Sequence, residues 1–269
     1  LIFTNNDSGY ETAIEFKKNG VNPLILDTRK EPSSDIITEA KNLGIEIKYS
    51  YVVVAAKGYK KVKSADIAKI SDNKKDLSNI ENIECDCICV SGFWTPSIHL
   101  ASQSGNKSEF NEKIDAFIPK KSKQKENTIG SANGKFTLEE TINEAFNKGY
   151  EVSNKITENN NKVSIPTVVE KKSTEHDKFW CVPLPKGKSY KRFLDFQNDV
   201  AVTDIELALR EGFRSIEHVK RYTTLGMATD QGKTSNLNGL QLVSDIENKV
   251  VPQVGHTTFR PPYTPVSIG

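Results

Sequence analysis
The chain has 269 residues, room for one large domain or two small ones. Its 37 Lys and Arg against 35 Asp and Glu leave a formal charge of +2, a balance that gives no indication of a nucleic-acid partner. No apolar run approaches the ~20 residues of a membrane-spanning helix, and no charged-then-apolar leader opens the chain, so neither membrane nor nucleic acid is expected as a partner.

The first elements read as strand, turn, helix, strand. Leu1-Ile2-Phe3 is a short apolar run, Thr4-Asn5-Asn6-Asp7-Ser8-Gly9 supplies turn and cap residues, helical spacing follows through Ala13, Ile14 and Phe16, and Gly20 stops it. Pro23-Leu24-Ile25-Leu26 is a second strand ending in Asp27. This is the first half of a dinucleotide-binding βαβ unit, with an acid about twenty residues beyond the turn, where a ribose hydroxyl would be read. The glycine fingerprint is missing: TNNDSGY stands where GxGxxG is expected, which makes close approach of a pyrophosphate harder. Arg29 beside Asp27 stands either to contact an adenosine phosphate or to sit in solvent.

A second helix is expected over Asp35–Leu43 and a third strand at Gly44–Ile47. Tyr49–Ala55 and Gly58–Val62 read as antiparallel strands joined near Lys57-Gly58, and residues 64–82 as a polar surface loop. Cys85–Ser91 is the next strand. Its CDCIC run places three thiols at alternate positions, hence on one face, and the spacing suits small buried thiols better than a metal site. Cys181 has no nearby partner in sequence; a reducing cytoplasm fits, and no metal is expected.

His99, His176 and His256 read as packed structural histidines, with no ligand spacing around them. KKSKQK (120–125) carries no interleaved aromatics and reads as a solvated loop. Gly130-Ser131-Ala132-Asn133-Gly134 precedes a helix over Leu138–Lys148. It is either an ordinary glycine-lined turn or a set of amides offered to a phosphate or ribityl oxygen. From Tyr150 to His176 the composition turns polar and reads as linker.

FLDFQND (193–199) is a strand or turn, and helical spacing through Ile205, Leu209 and Ile216 predicts one helix over Asp204–His218. That helix delivers Lys220 and Arg221 at its C-terminal end, where the dipole favours cations. KRYTTLGMATDQGKTSN (220–236) follows, with glycines, hydroxyls and Lys233. It reads equally as a polar loop capping a helix or as a phosphate cradle. The tail TTFRPPYTPVSIG is proline-locked and extended.

The run from Phe193 to Asn236, then TTFRPPYTPV (257–266), resembles the alpha subunit of heterotetrameric sarcosine oxidase, as does VSGFWTPSIHLASQSG (90–105). In this last stretch Phe93 stands where that family has a second glycine. The resemblance implies an α/β fold, part of a two-dinucleotide (FAD/NAD-type Rossmann) domain followed by a small mostly helical module. The expected division is a dinucleotide-binding domain over 1–150, a linker over 151–178, a helical module at the flavin and subunit interface over 179–256, and over 257–269 the start of a linker to a folate-binding domain. The chain opens without Met and ends without a closing element, so it reads as a fragment cut at both ends.

The resemblance further implies an oxidoreductase complex that demethylates sarcosine to glycine and passes the one-carbon unit to tetrahydrofolate. Substrate oxidation would take place at a flavin on the beta subunit, which carries FAD, so no catalytic residue is expected here. The alpha subunit would bind NAD and contribute one wall of an FMN site shared with the beta subunit; the other partners would be the remaining subunits of the complex. Asp27, Arg29, Gly92, Gly130 and Asn133 are the NAD-side candidates. Lys220, Arg221, Thr223, Thr224 and Lys233 are the FMN-side candidates, as donors to a phosphate. The iron–sulfur cluster of related amine and opine oxidoreductases is not expected, since only Cys181 stands in that region. Two other readings stay open: the equivalent subunit of another amine, proline or opine oxidoreductase, and a scaffold subunit without cofactor.

Overall fold
A computed structural model describes residues 1–120, 122–157, 164–168, 175–259 and 261–268. The chain forms two compact units that interleave along the sequence, Leu1–Phe93 with Ser173–Arg192, and Trp94–Lys172 with Phe193–Gly269. This division differs from boundaries at 150 and 178. The first unit recovers the chain after residue 173 because Asn6 bridges to His176, and because Asn5 exchanges backbone and side-chain hydrogen bonds with Asp177.

The first unit is built on β1 (Ile2–Thr4), α1 (Ser8–Lys18), β2 (Leu24–Asp27), α2 (Asp35–Asn42), β3 (Glu46–Tyr49) and, later, β7 (Cys89–Ser91). The four strands form a parallel sheet in the order β3-β2-β1-β7, the arrangement expected of a dinucleotide-type α/β fold. Ile2 and Ile25 pair across β1 and β2 and join Tyr10, Ala13 and Ile14 of α1 and Ile37 and Ala40 of α2 in one core. The opposite side is covered by an antiparallel sheet, β4 (Tyr51–Gly58), β5 (Val62–Lys69) and β6 (Glu81–Glu84), whose Ala65 and Ile67 pack on Leu26.

That second sheet corrects two expectations. The hairpin turns at residues 59–61 rather than at Lys57-Gly58, and the first six residues of the supposed polar loop at 64–82 belong to a central strand, buried at 65–68. Ala65, Ile67 and Ala68 are too small and too irregularly spaced to announce a strand, and Asp66 disguises it further. This carboxylate is 2% exposed and is held by Lys57 Nζ at 2.8 Å and Asn82 Nδ2 at 2.8 Å. The cysteine run is corrected as well. Only Cys89 lies in β7; Cys87 is exposed and stands 3.9 Å from Cys89, while Cys85 packs beneath β5.

The second unit contains α3 (His99–Gln103), a hairpin of β8 (Ser108–Asn111) and β9 (Ala116–Pro119), a 3-10 turn at Gly130–Asn133, and α4 (Leu138–Thr157). Helix α4 thus runs nine residues past its expected end into the segment read as linker. Thr137 and Glu140 close its N-terminus, the hydroxyl accepting from the Glu140 amide at 3.2 Å. The remainder of that linker expectation, at 158–163 and 169–174, lies outside the described residues, as does Lys121 of the KKSKQK run.

A short hairpin of β10 (Phe193–Asp195) and β11 (Val200–Ala201) leads into α5 (Val202–Arg210), α6 (Ile216–Thr223), α7 (Asn236–Glu247) and α8 (Val251–Val254). The single helix expected over 204–218 is therefore two. Gly212 at φ +95° ends α5, and α6 restarts after Ser215; Ile205 and Leu209 of α5 and Ile216 of α6, whose spacing suggested one helix, are all buried. Ile205, Ala208, Ile216, Val219, Leu225 and Val243 form the core. No helix among the described residues is long and apolar enough to cross a membrane.

Candidate functional site
The chemistry-bearing residues fall in two places, one in each unit. In the first unit they gather where β1 and β2 end. Asp27 is fully buried, and both of its oxygens are occupied. Oδ1 accepts from the Arg29 amide at 2.9 Å and Nε at 3.1 Å; Oδ2 accepts from Arg29 Nη2 at 2.9 Å and the Tyr10 hydroxyl at 2.7 Å. Arg29 extends its other arm to Asp7 at 2.8 Å. Burial works against the Arg29 guanidinium, yet the hydrogen bonds and charges of Asp27 and Asp7 override it and raise its pKa. The Tyr10 hydroxyl is pushed up by burial first, and the neighbouring Asp27 carboxylate adds to the shift.

The turn after β1 is also filled from within. Asn6 Oδ1 accepts the Ser8 amide at the start of α1 at 2.9 Å, Ser8 Oγ and Ser91 Oγ lie 2.6 Å apart, and Asp7 is the N-cap residue, its carboxylate bound by Arg29 rather than by the helix amides. In a dinucleotide fold these amides would face a pyrophosphate. Gly9 fits here because a β-carbon would come within 2.6 Å of the Thr4 side chain. Gly92 follows β7 with open space at its α-carbon.

In the second unit, Gly130 and Asn133 are joined through one carboxylate. Glu144 of α4 accepts the Gly130 amide at 2.7 Å and Asn133 Nδ2 at 2.7 Å. Gly130 has φ +66°, so glycine suits the turn, and the amide offered by sequence to a phosphate is taken by Glu144.

The 220–236 stretch is held by FLDFQND. Asp195, 2% exposed, accepts the Gly226 amide at 2.8 Å, Asn198 Nδ2 donates to the Thr224 carbonyl at 2.9 Å, and Gln197 Oε1 accepts from the Thr229 hydroxyl at 2.8 Å. Lys220 and Arg221 stand in the last turn of α6, where the helix dipole favours them. They line a hollow of about 400 Å³ together with Gly226, Met227, Gln231 and Glu217. Glu217 pairs with Arg221 at 3.6 Å and accepts the Thr258 amide at 2.7 Å.

The five cationic and hydroxyl residues of this region are not all together. Thr223 lines a different hollow, of about 270 Å³, and its hydroxyl donates to the Val219 carbonyl at 2.8 Å. Thr224 ends α6 at φ +63°, and its hydroxyl donates to the Thr223 carbonyl. Lys233 lines a third cavity and lies 4.1 Å over the Tyr263 ring while donating to the Tyr263 carbonyl.

The three histidines read as packed each sit against an aromatic ring, whereas His218 is exposed. His176 stacks on Phe93 at 4.0 Å, His99 on Phe259 at 3.7 Å, and His256 tilts against Phe117 at 5.3 Å. Among the described residues, no three His, Cys, Asp or Glu side chains gather as a metal site. Asp195, Asn236 and Glu144 organise these sites without a sequence motif to mark them. The signal available for Asn236 was its neighbourhood, because two glycines, at 226 and 232, make room for a single side chain.

Comparison with known proteins agrees with this architecture. Residues 189–269 match the sarcosine oxidase A3 domain family. The whole chain is 34% identical to a protein of Rhizobium meliloti (strain 1021), of which it covers 26%. Another, from Corynebacterium sp. (strain U-96), is 30% identical over 99% of the chain, which covers 28% of it. Both are named sarcosine oxidase subunit alpha. The chain spans about a quarter of their length. Among solved structures, L-proline dehydrogenase from P. horikoshii superposes with a TM-score of 0.53 and 18% identity, covering 92% of this chain and 49% of that one, a likeness of fold. With its parallel sheet and this likeness, the chain is an α/β protein of Rossmann-type fold, similar along its whole length to sarcosine oxidase alpha subunits.

Proposed function
We propose that this chain is part of the alpha subunit of a multi-subunit, flavin-dependent sarcosine oxidase, a cofactor-holding and assembly component of an oxidoreductase. In this reading the complex demethylates sarcosine, with tetrahydrofolate as one-carbon acceptor on a folate domain elsewhere in the subunit. The oxidation proceeds at FAD on the beta subunit, and the complex works in the cytoplasm. The observation that carries the FMN part is the pair Lys220 and Arg221 on the last turn of α6, lining one hollow. The two cations suit a phosphate dianion, which would compete with Glu217 for Arg221. Thr223 and Thr224 shape the end of α6 behind that pair, and Lys233 lies farther along the same loop.

NAD is assigned to this subunit by family likeness. The nearest support in the chain is the βαβ framework of the first unit. Asp27 and Arg29 are bound to each other, so a ribose or phosphate reaching them would have to displace an existing ion pair. Gly92 and the Gly130–Asn133 turn are the other NAD-side positions. The test is to co-express the full-length subunit with its beta partner and identify the nucleotides released on denaturation. FMN together with NAD is expected, and Lys220→Glu is expected to lower the FMN content; FMN retained at full occupancy in that variant removes Lys220 from the site.

A second reading, a scaffold subunit without nucleotide, is favoured by one specific feature. The donors of the turn after β1 and of the Gly130 turn are already satisfied by Asn6 and Glu144. A well-folded complex that releases no nucleotide would establish it.

A further inference from the structure
A cavity of about 150 Å³ lies wholly within the second unit, walled by residues 95–99, Phe117, the start of α7 and the stretch 256–259. Two side chains on its wall are unusual. His99 is 3% exposed and Asn236 5% exposed, and neither ring nitrogen of His99 nor either amide atom of Asn236 has a hydrogen-bond partner among the described residues. Buried polar groups are almost always satisfied, so four unmade hydrogen bonds at one cavity point to a missing occupant.

The rest of the wall defines that occupant. Phe117, Phe259, Leu237 and Leu240 make much of the surface apolar, which water alone would leave poorly matched. Lys233 is the charged residue on the wall, and no Asp or Glu lines the cavity among the described residues. Burial pushes the His99 pKa down. The Gln231 backbone opposes the shift without completing a hydrogen bond, Lys233 and Lys220 add to it, and Asp230 opposes it. The imidazole therefore stays neutral and keeps one N–H to give. Asn236 offers an NH2 group. An engineered cavity of comparable volume holds a benzene-sized guest, about six non-hydrogen atoms.

From this geometry we infer that the cavity is a binding site for a short-chain monocarboxylate. The carboxylate accepts from Asn236 Nδ2 and a His99 ring N–H, Lys233 supplies the countercharge, and the alkyl group lies against Phe259 and Leu240. The site shares Phe259 with the Lys220 and Arg221 hollow but has its own polar groups, and it does not depend on the FMN reading.

The test is isothermal titration of the full chain with sodium propionate at ionic strength held constant with chloride. Propionamide serves as the neutral probe, and Asn236→Asp as a near-isosteric variant that sets a like charge against the ligand. Saturable one-to-one binding of propionate is expected, weaker by about tenfold or more for propionamide and for the variant. The absence of saturable binding, equal binding of propionamide, or unchanged binding by the variant would overturn the assignment. Should Asn236→Asp lose its cooperative thermal transition, His99→Phe takes its place under the same tenfold criterion, since it keeps the ring against Phe259 and removes the donor.

Discussion

The Asn236 carboxamide lies against the α-carbon of Gly226 so closely that a β-carbon there would stand 2.0 Å from Asn236 Oδ1. Gly226 also has φ +64°, and its amide is tied to Asp195. Gly226→Ala therefore combines left-handed strain, about 1–2 kcal/mol, with overpacking of about 1–3 kcal/mol. Gly212→Ala, at φ +95° with nothing near its α-carbon, carries the first cost alone. Urea unfolding of the two variants is expected to rank Gly226→Ala as clearly the less stable.

Arg29→Leu is expected to cost about 3–5 kcal/mol, because it leaves the buried Asp27 carboxylate without its main partner. The drop in the urea midpoint should be accompanied by partial recovery in the Arg29→Leu, Asp27→Asn double variant. A double variant less stable than Arg29→Leu would count against this account.

Tyr10 gives an alkaline signature. Its folded pKa is raised, so its contribution is complete below the unfolded value of about 10 and is lost as pH climbs above that value. Tyr10→Phe is expected to lose about 1.5–3 kcal/mol at neutral pH, the worth of a hydrogen bond to a charged group. Its thermal midpoint should also fall less steeply than that of the wild type above pH 10.

Glu151 gives an acid signature. It lies between Lys148 at 2.8 Å and Lys155 at 2.7 Å on α4, and these partners hold its pKa down to about 2. A lowered carboxylate contributes above its unfolded pKa of about 4.3 and loses that contribution as pH falls toward the folded value. Between pH 4.5 and 2, in low salt, the thermal midpoint of the wild type should fall more than that of Glu151→Gln. High salt should abolish the difference, since the pair is exposed.

The β1-α1-β2 framework was legible because each signal there is local: an apolar triplet, a cap-rich turn, helical spacing and a stopping glycine. Strand β5 was not, because its burial depends on β4 and β6 lying on either side, and SADIAK carries little apolar alternation of its own. The break between α5 and α6 was written in Gly212 but masked by the roughly helical spacing of Ile205, Leu209 and Ile216. At the sites, the adjacency of Lys220 and Arg221 could be read directly. The use of Glu144 to close the Gly130 turn could not, since it requires a helix to return across 14 residues. Likewise Asp27 was recognised by position, while the partners that saturate it, Tyr10 and Arg29, emerge only when β1, α1 and β2 are packed.

The interleaving of the units has a consequence for synthesis. The first unit is left at Phe93 and completed only when the segment from Ser173 arrives, roughly 80 residues later. At ribosomal speeds the turn after β1, about 170 residues upstream, waits roughly 9–34 s for Asp177 and His176 to bind Asn5 and Asn6. For that interval the nascent chain carries an unfinished sheet end, the stage at which a chaperone would find its substrate.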